Sequence, residues 1–278
     1  MILCIINYEE VIALGSIRGL EWTFDTVSNI YEKIRPGYVD ELYRTVFDYI
    51  PIRESSNVIE IGSGGGQATE PILKTGCKLT AIECGESFSE LLKEKFKTYP
   101  NFSVITGKFE ETELKPASYD FIFSASAFHW IPEEIGYKKV FSLLKSGGVF
   151  SRFANHPYQD KENKELSKKL DELYGKYYYP FHNKKQESPV EYSEGQARER
   201  ALIAEKYGFK DIKYAIFHRT REFSSDEYVT LLGTYSDHIA MEKVLREEFF
   251  HEIKKAIKEY GGIIKIYDTI DLQLAKKP

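Results

Sequence analysis

Asn57-Val58-Ile59-Glu60-Ile61-Gly62-Ser63-Gly64-Gly65-Gly66-Gln67 is the stretch from which the fold can be read. Val58 to Ile61 has the apolar character of a short buried strand, and the glycines behind it let the backbone turn sharply and approach a ligand closely. An acid inside the end of such a strand is unusual. Here Glu60 opens the spacing Glu-x-Gly-x-Gly-x-Gly. A dinucleotide-binding turn leaves that strand end apolar and asks for Gly-x-Gly-x-x-Gly, whose third glycine would fall on Gln67.

Working outward, Ala68, Ile72 and Leu73 give one apolar helix face, and Gly76 ends it as C-terminal glycines do. Lys78 to Glu83 is the next strand. Glu83 stands about twenty positions after Gly62, where an acid can accept hydrogen bonds from both ribose hydroxyls of an adenosine. That position suits a dinucleotide as well, so Glu83 points to an adenosine ligand without choosing between cofactors. Phe88, Leu91, Leu92 and Phe96 mark an amphipathic helix expected to be capped near Ser87.

Phe102 to Thr106 reads as a third strand, followed by Gly107, Lys108, Phe109 and Glu110. A fourth strand begins at Tyr119 and runs into Ser124-Ala125-Ser126-Ala127-Phe128-His129-Trp130. This places the imidazole of His129 at the carboxyl end of the sheet, where open α/β sheets bind ligands. Pro132 to Leu144 is a predicted helix, and Gly147-Gly148 turns into a fifth strand at Val149-Phe150. Strands and helices alternate with short connections, which predicts a parallel, doubly wound sheet with right-handed crossovers.

Glu60, Gly62, Gly64 and Gly66 together resemble motif I of class I S-adenosylmethionine-dependent methyltransferases. The segment Tyr31-Glu32-Lys33-Ile34-Arg35-Pro36-Gly37-Tyr38 is similar to the Tyr-x-x-x-Arg-Pro-x-Tyr segment of small-molecule methyltransferases of the trans-aconitate methyltransferase group, as is the pair His129-Trp130. The resemblance implies a Rossmann-like sheet of seven strands, mostly parallel, with a reversed late strand beside the fifth, and a mainly helical substrate cap. It implies S-adenosylmethionine as cofactor. Tyr31, Arg35, Glu60, Gly62, Ser63, Gly64, Gly66, Gln67, Glu83, Cys84, Lys108, Phe109, Glu110, Ser124, Ala125 and Ser126 fall at the positions of its cofactor site. In that family an acid follows the third-strand glycine; Lys108 stands there instead, which passes the adenine contact to the main chain and ring of Phe109. His129 is the candidate catalytic residue, and His129, Trp130, Tyr178 and Tyr235 are candidates for the substrate side.

Beyond Asn155 the rhythm changes. Lys- and Glu-rich helical patterns surround Tyr174, Tyr177, Tyr178, Tyr179 and Phe181, which reads as an inserted cap over residues 155–200. The methyltransferase core is then 22–154 and 201–278, behind an extension at 1–21. Strand signals return from Asp211 to Arg219, helices are expected over Ser224 to Tyr235 and Met241 to Tyr260, and Ile263 to Leu274 is a terminal strand. Met241, Leu245, Phe249, Ile253 and Ile257 recur every four residues as one buried stripe.

Composition narrows the function classes. In 278 residues there are three cysteines, Cys4, Cys77 and Cys84, and six scattered histidines, with no metal-ligand spacing and no disulfide framework. No metal is expected, and a reducing cytoplasm fits. The net charge of -5 argues against a large nucleic-acid footprint, although Lys161, Lys164, Lys168 and Lys169 form a local basic face. No signal peptide or membrane span is read in the apolar start. The expected partner is a small molecule, a carboxylic acid if the resemblance to the trans-aconitate group extends to the substrate, and the protein is expected to be a monomer or homodimer. A NAD-dependent oxidoreductase and a non-catalytic S-adenosylmethionine-binding protein are the competing readings.

Overall fold

The computed structural model describes residues 34–278. Tyr31 and the proposed extension lie outside the described residues. Ile34 is the last helical residue before Arg35 and Pro36, since proline disfavours a helical residue ahead of it. Seven strands follow: β1 Asn57–Ile61, β2 Lys78–Glu83, β3 Phe102–Thr106, β4 Tyr119–Ala125, β5 Leu144–Tyr158, β6 Lys210–Ser224 and β7 Ile263–Lys276. Their order across the sheet is β3-β2-β1-β4-β5-β7-β6, a mostly parallel arrangement with one reversed strand. β7 sits beside β5, as expected for the late strand.

Helices α1 Asp40–Tyr49, α2 Thr69–Leu73, α3 Glu86–Lys95 and α4 Glu133–Leu143 are interspersed with the first five strands, with turns and no helix between β3 and β4. Two expectations need correction here. The N-cap of α3 is Gly85 rather than Ser87, and it makes no side-chain cap, because Glu86 already lies in the first turn. The fifth strand starts at Leu144 and extends to Tyr158, well beyond the Val149-Phe150 seed, since nearly all its residues from Val149 to Ala154 are buried.

The chain divides into two compact units. A core unit holds 36–155, 193–217 and 270–278, and a second unit holds 156–192 and 218–269 together with Ile34 and Arg35. The core unit has an apolar cluster of Leu42, Val46, Val58, Ile72, Leu79, Phe121, Phe123 and Leu272 and a further one of Ile59, Ile61, Ile82, Ile122, Val140 and Phe150. Successive residues of β1 appear in different clusters, as side chains alternating across a strand must.

The second unit contains α5 Lys164–Leu173, a π-helical turn Tyr174–Tyr178, α6 Ser225–Leu232 and α7 Lys243–Glu259. Ser224 caps α6 in a capping box with Glu227, and the helix ends at Leu232 rather than Tyr235; Ser236–Ile239 forms a separate turn of helix. Phe249, Ile253 and Ile257 of α7 are buried as the four-residue stripe predicts, with Met241 just ahead of the helix and Leu245 packed at the edge. Tyr174, Tyr177, Tyr178 and Tyr179 join this core, whereas Phe181 is 39% exposed.

Candidate cofactor and substrate site

Parallel pairing sets Ile61 beside Ile82 and Glu60 beside both Ala81 and Phe123, so β1 is central and its carboxyl end opens into the glycine turn. The Gly62 amide donates to the Ile82 carbonyl at 2.8 Å, and the Gly66 amide to the Ser63 carbonyl at 2.9 Å. Gly62 has φ +68°, and a Cβ there would stand 2.4 Å from the Ala127 Cβ. Glycine is therefore required twice over, by backbone sign and by the approach of the loop after β4. The Lys95 ammonium on α3 donates to the Gly65 carbonyl at 2.8 Å and ties the turn down from outside.

Glu60 is fully buried, and one carboxylate oxygen accepts from the Thr69 hydroxyl at 2.6 Å. Its other oxygen has no hydrogen-bond partner among the described residues. Burial pushes the carboxyl up to about 8, against the opposing pull of the Thr69 and Ser63 hydroxyls.

Glu83 ends β2 with its carboxylate folded over the turn. One oxygen accepts from the Gly64 amide at 2.8 Å and the other from the Gly85 amide at 2.9 Å, with the Cys84 thiol at 3.6 Å. Burial raises its pKa, and the amides of Gly85 and Gly64 act in the opposite direction. One oxygen keeps open acceptor capacity and the other gives up only the long Cys84 thiol contact, so a ligand diol could bond here without breaking the amide contacts. Gln67 is half-buried behind the turn, and its amide nitrogen has no partner among the described residues.

β3 ends beside Glu83, whose carbonyl accepts from the Gly107 amide at 2.9 Å. Lys108 is exposed, while its carbonyl accepts from the Thr112 hydroxyl. Phe109 is buried with Ile59, Ile61 and Ile82 beneath the Lys139 ammonium, 5.1 Å from its ring centre, and the Glu110 carbonyl also accepts from Lys139.

At the end of β4 the Ser124 hydroxyl donates to the Ile61 carbonyl at 2.9 Å, which locks β4 to β1. Ala125 closes the strand, and Ser126 adopts φ +54°. A non-glycine residue in that region costs on the order of 1–3 kcal/mol and persists where its surroundings fix it. The surroundings are the Phe153 carbonyl, which accepts from the Ser126 amide, and the Tyr38 hydroxyl, 2.8 Å from the Ser126 hydroxyl. Tyr38 itself meets the Phe153 ring edge-on at 4.7 Å. The reversal launches a 3₁₀ turn, Phe128–Trp130, on which the half-buried His129 packs against Trp130 at 5.0 Å between ring centres.

Arg152 seats that turn, a role sequence reasoning missed. Its guanidinium is buried in β5, lies 4.8 Å from the Phe128 ring centre and donates to the Tyr137 hydroxyl at 2.7 Å. The signal was available: like Glu60, Arg152 is a charge set among the apolar residues of a strand.

Within the second unit, Arg35 stacks at 4.0 Å over the Tyr235 ring while its guanidinium donates to the Thr234 hydroxyl at 2.9 Å and carbonyl at 2.8 Å. Two segments that the sequence singled out separately thus meet. The Tyr178 hydroxyl donates to Asp237 at 2.6 Å, and the other oxygen of Asp237 lies 2.8 Å from Nδ1 of the buried His238.

A doubly wound sheet with a glycine turn after β1 and a buried acid closing β2 defines an adenosine-binding α/β protein, and Glu60 with Gln67 separates it from the dinucleotide pattern. Residues 59–151 match the family described as Methyltransferase domain, and this match together with the relatives below supports an S-adenosylmethionine-dependent methyltransferase of class I. It is similar to an uncharacterized methyltransferase of Schizosaccharomyces pombe, 24% identical over 242 residues that cover 85% of this chain and 87% of the relative. A methyltransferase-like protein of the same organism is 24% identical over 263 residues, covering 92% and 96%. Among solved structures, Haemonchus contortus phosphoethanolamine N-methyltransferase 2 with phosphomonomethylethanolamine and S-adenosylhomocysteine shares the fold, with TM-score 0.54, 16% identity and coverage of 96% of this chain and 61% of that one. The YcgJ protein of Bacillus subtilis does so with TM-score 0.53, 14% identity and coverage of 86% and 100%. S-adenosylmethionine is the cofactor, and the amide-held Glu83 and the side-chain-free turn at Gly62 suit its ribose and amino-acid portions. Among the described residues there is no group of three or more metal-ligating side chains, and no helix is long and apolar enough to cross a membrane.

Proposed function

We propose that the protein transfers a methyl group from S-adenosylmethionine to a carboxylate oxygen of a small organic acid. The observation that carries the cofactor half is Glu83: a buried carboxylate held by two amides of the flanking turns, with acceptor capacity left for both ribose hydroxyls. S-adenosylmethionine, when bound, supplies a methyl already activated on its sulfonium. The remaining work of the chain is positioning and exclusion of water, and orientation alone can account for about 7–11 kcal/mol of a barrier. In this reading Glu83 and the Gly62–Gly66 turn hold the adenosine and methionine portions, the main chain at Phe109 serves the adenine while its ring stays in the core, and His129 with Trp130 faces the acceptor.

A carboxylate is ionised near neutral pH, so no proton has to leave before the methyl arrives. His129 then orients the acceptor rather than acting as a base. The test is transfer of labelled methyl from S-adenosylmethionine to a panel of small carboxylic acids, with formation of a base-labile methyl ester as the readout. His129→Asn should retain turnover, with little change in the pH dependence of the methyl-transfer step. A loss of several orders of magnitude in single-turnover rate, with disappearance of a titration near neutrality, would make His129 a base and move the acceptor to a hydroxyl or amine.

A further inference from the structure

Two adjacent lysines of α4 take different partners. Lys138 is exposed and pairs with Glu134 one turn earlier. Lys139 is half-buried and turns to the loop after β3, where its ammonium donates to the Thr112 carbonyl at 2.6 Å and to the Glu110 carbonyl at 3.1 Å. The same ammonium stands 5.1 Å from the ring centre of Phe109, which is buried in the core beneath it. Partial burial lowers the pKa of Lys139, against the pull of the Glu110 carboxylate.

The loop is fastened at three places. The Gly107 amide ties its start to the Glu83 carbonyl at 2.9 Å. Its middle closes on the Lys108 carbonyl, which accepts from the Thr112 amide at 3.0 Å, the Thr112 hydroxyl at 2.8 Å and the Glu111 amide at 3.1 Å. Lys139 fastens the far end to α4. A trans peptide is planar, with its carbonyl and its amide hydrogen pointing opposite ways, and the chain has no cis peptide among the described residues. Turning the Lys108 carbonyl toward Thr112 therefore fixes the direction of the Phe109 amide. Thr112 is in turn held by Lys139, so the direction of that amide is set from α4.

We propose that Lys139 is a positioning residue for the adenine end of the cofactor site, acting through Thr112 and the Lys108–Phe109 peptide on the direction of the Phe109 amide. The inference rests on the S-adenosylmethionine reading and adds to it the residue that makes a main-chain contact selective. With Lys108 standing where an acid is expected, the base is left to a backbone donor. Adenine offers that donor an acceptor nitrogen, whereas hypoxanthine carries an N–H at the same ring position. A fixed amide admits the first and rejects the second, and a loosely held one discriminates less.

The experiment is calorimetric titration of the full-length protein with S-adenosylhomocysteine and with S-inosylhomocysteine, whose base is hypoxanthine, alongside hydrogen exchange of residues 107–112 without ligand. Wild type should bind the adenine ligand more tightly. Lys139→Met keeps the length of the side chain without its ammonium: the loop should exchange faster, S-adenosylhomocysteine should bind more weakly by about ten-fold or more, and the preference for adenine should shrink. Lys139→Arg keeps the charge and the donors and should restore most of that preference. Lys139→Gln should move in the direction of Lys139→Met and provides a second reading should Lys139→Met fold poorly. No preference in the wild type, an equal loss for both ligands, or unchanged S-adenosylhomocysteine affinity in the Met and Gln variants would overturn the positioning role and leave the cofactor reading standing. Failure of the wild type to bind S-adenosylhomocysteine would remove the cofactor reading and the adenine role with it.

Discussion

Glu60 shows what one residue in an unexpected place implies. A carboxyl fully buried in a central strand is raised from an ordinary 4.5 to about 8, chiefly by loss of water. Between those values the folded chain holds a proton that the unfolded chain has released, so stability is fullest below the unfolded pKa and falls as pH rises through the folded one. Glu60→Gln keeps an oxygen for Thr69 and removes the titration. Denaturant unfolding of the ligand-free protein at about pH 5 and about pH 9 should therefore show wild type losing stability relative to the variant by an amount of order a few kcal/mol. Equal pH slopes in the two proteins would show that Glu60 does not titrate in this range. This acid was legible in the sequence because it broke an apolar run, and Glu83 was legible from its distance to the glycine turn. The left-handed Ser126 was not, since nothing in a serine announces positive φ; it depends on Tyr38 and Phe153 closing around it.

At the scale of elements, strands were read well where they are short and bounded by turns. β2 and β3 coincide with the runs Lys78–Glu83 and Phe102–Thr106, because short apolar strands between polar turns have sharp ends. β6 has no fully buried residue and alternates half-buried and exposed positions only from Phe217 onward, so its end from Arg219 to Ser224 carries no apolar run. Contacts such as Arg35 with Thr234, 199 positions apart, have no local signature and are set by tertiary packing alone. The 3₁₀ turn that bears His129 is likewise held from elsewhere. Gly136 of α4 leaves room for Phe128, and a Cβ at Gly136 would fall 2.7 Å from the Phe128 Cζ. Gly136→Ala should push that ring, and with it the turn, at a cost of about 1–3 kcal/mol in stability. Methyl transfer should slow while S-adenosylhomocysteine affinity changes little, because Gly136 touches neither Glu83 nor the glycine turn. Unchanged single-turnover rates in a destabilised variant would separate the turn from the reaction.

For the whole molecule, the sequence placed an inserted cap at 155–200, whereas the compact second unit combines 156–192 with 218–269. Helices α6 and α7 and the strand ends of β6 and β7 thus share a core with the tyrosine cluster, an association invisible until Tyr174 and Tyr177 are seen against Phe249. The core unit carries the glycine turn and Glu83, and the second unit carries the buried tyrosine cluster. If the core unit holds S-adenosylmethionine through Glu83, calorimetric titration of wild type and Glu83→Ala with S-adenosylhomocysteine and with NAD will show it. Wild type should bind S-adenosylhomocysteine at one site per chain, Glu83→Ala should bind it more weakly by about 1.5–3 kcal/mol, in line with charge-assisted hydrogen bonds, and neither should bind NAD. Tight NAD binding with no response to S-adenosylhomocysteine would contradict the account.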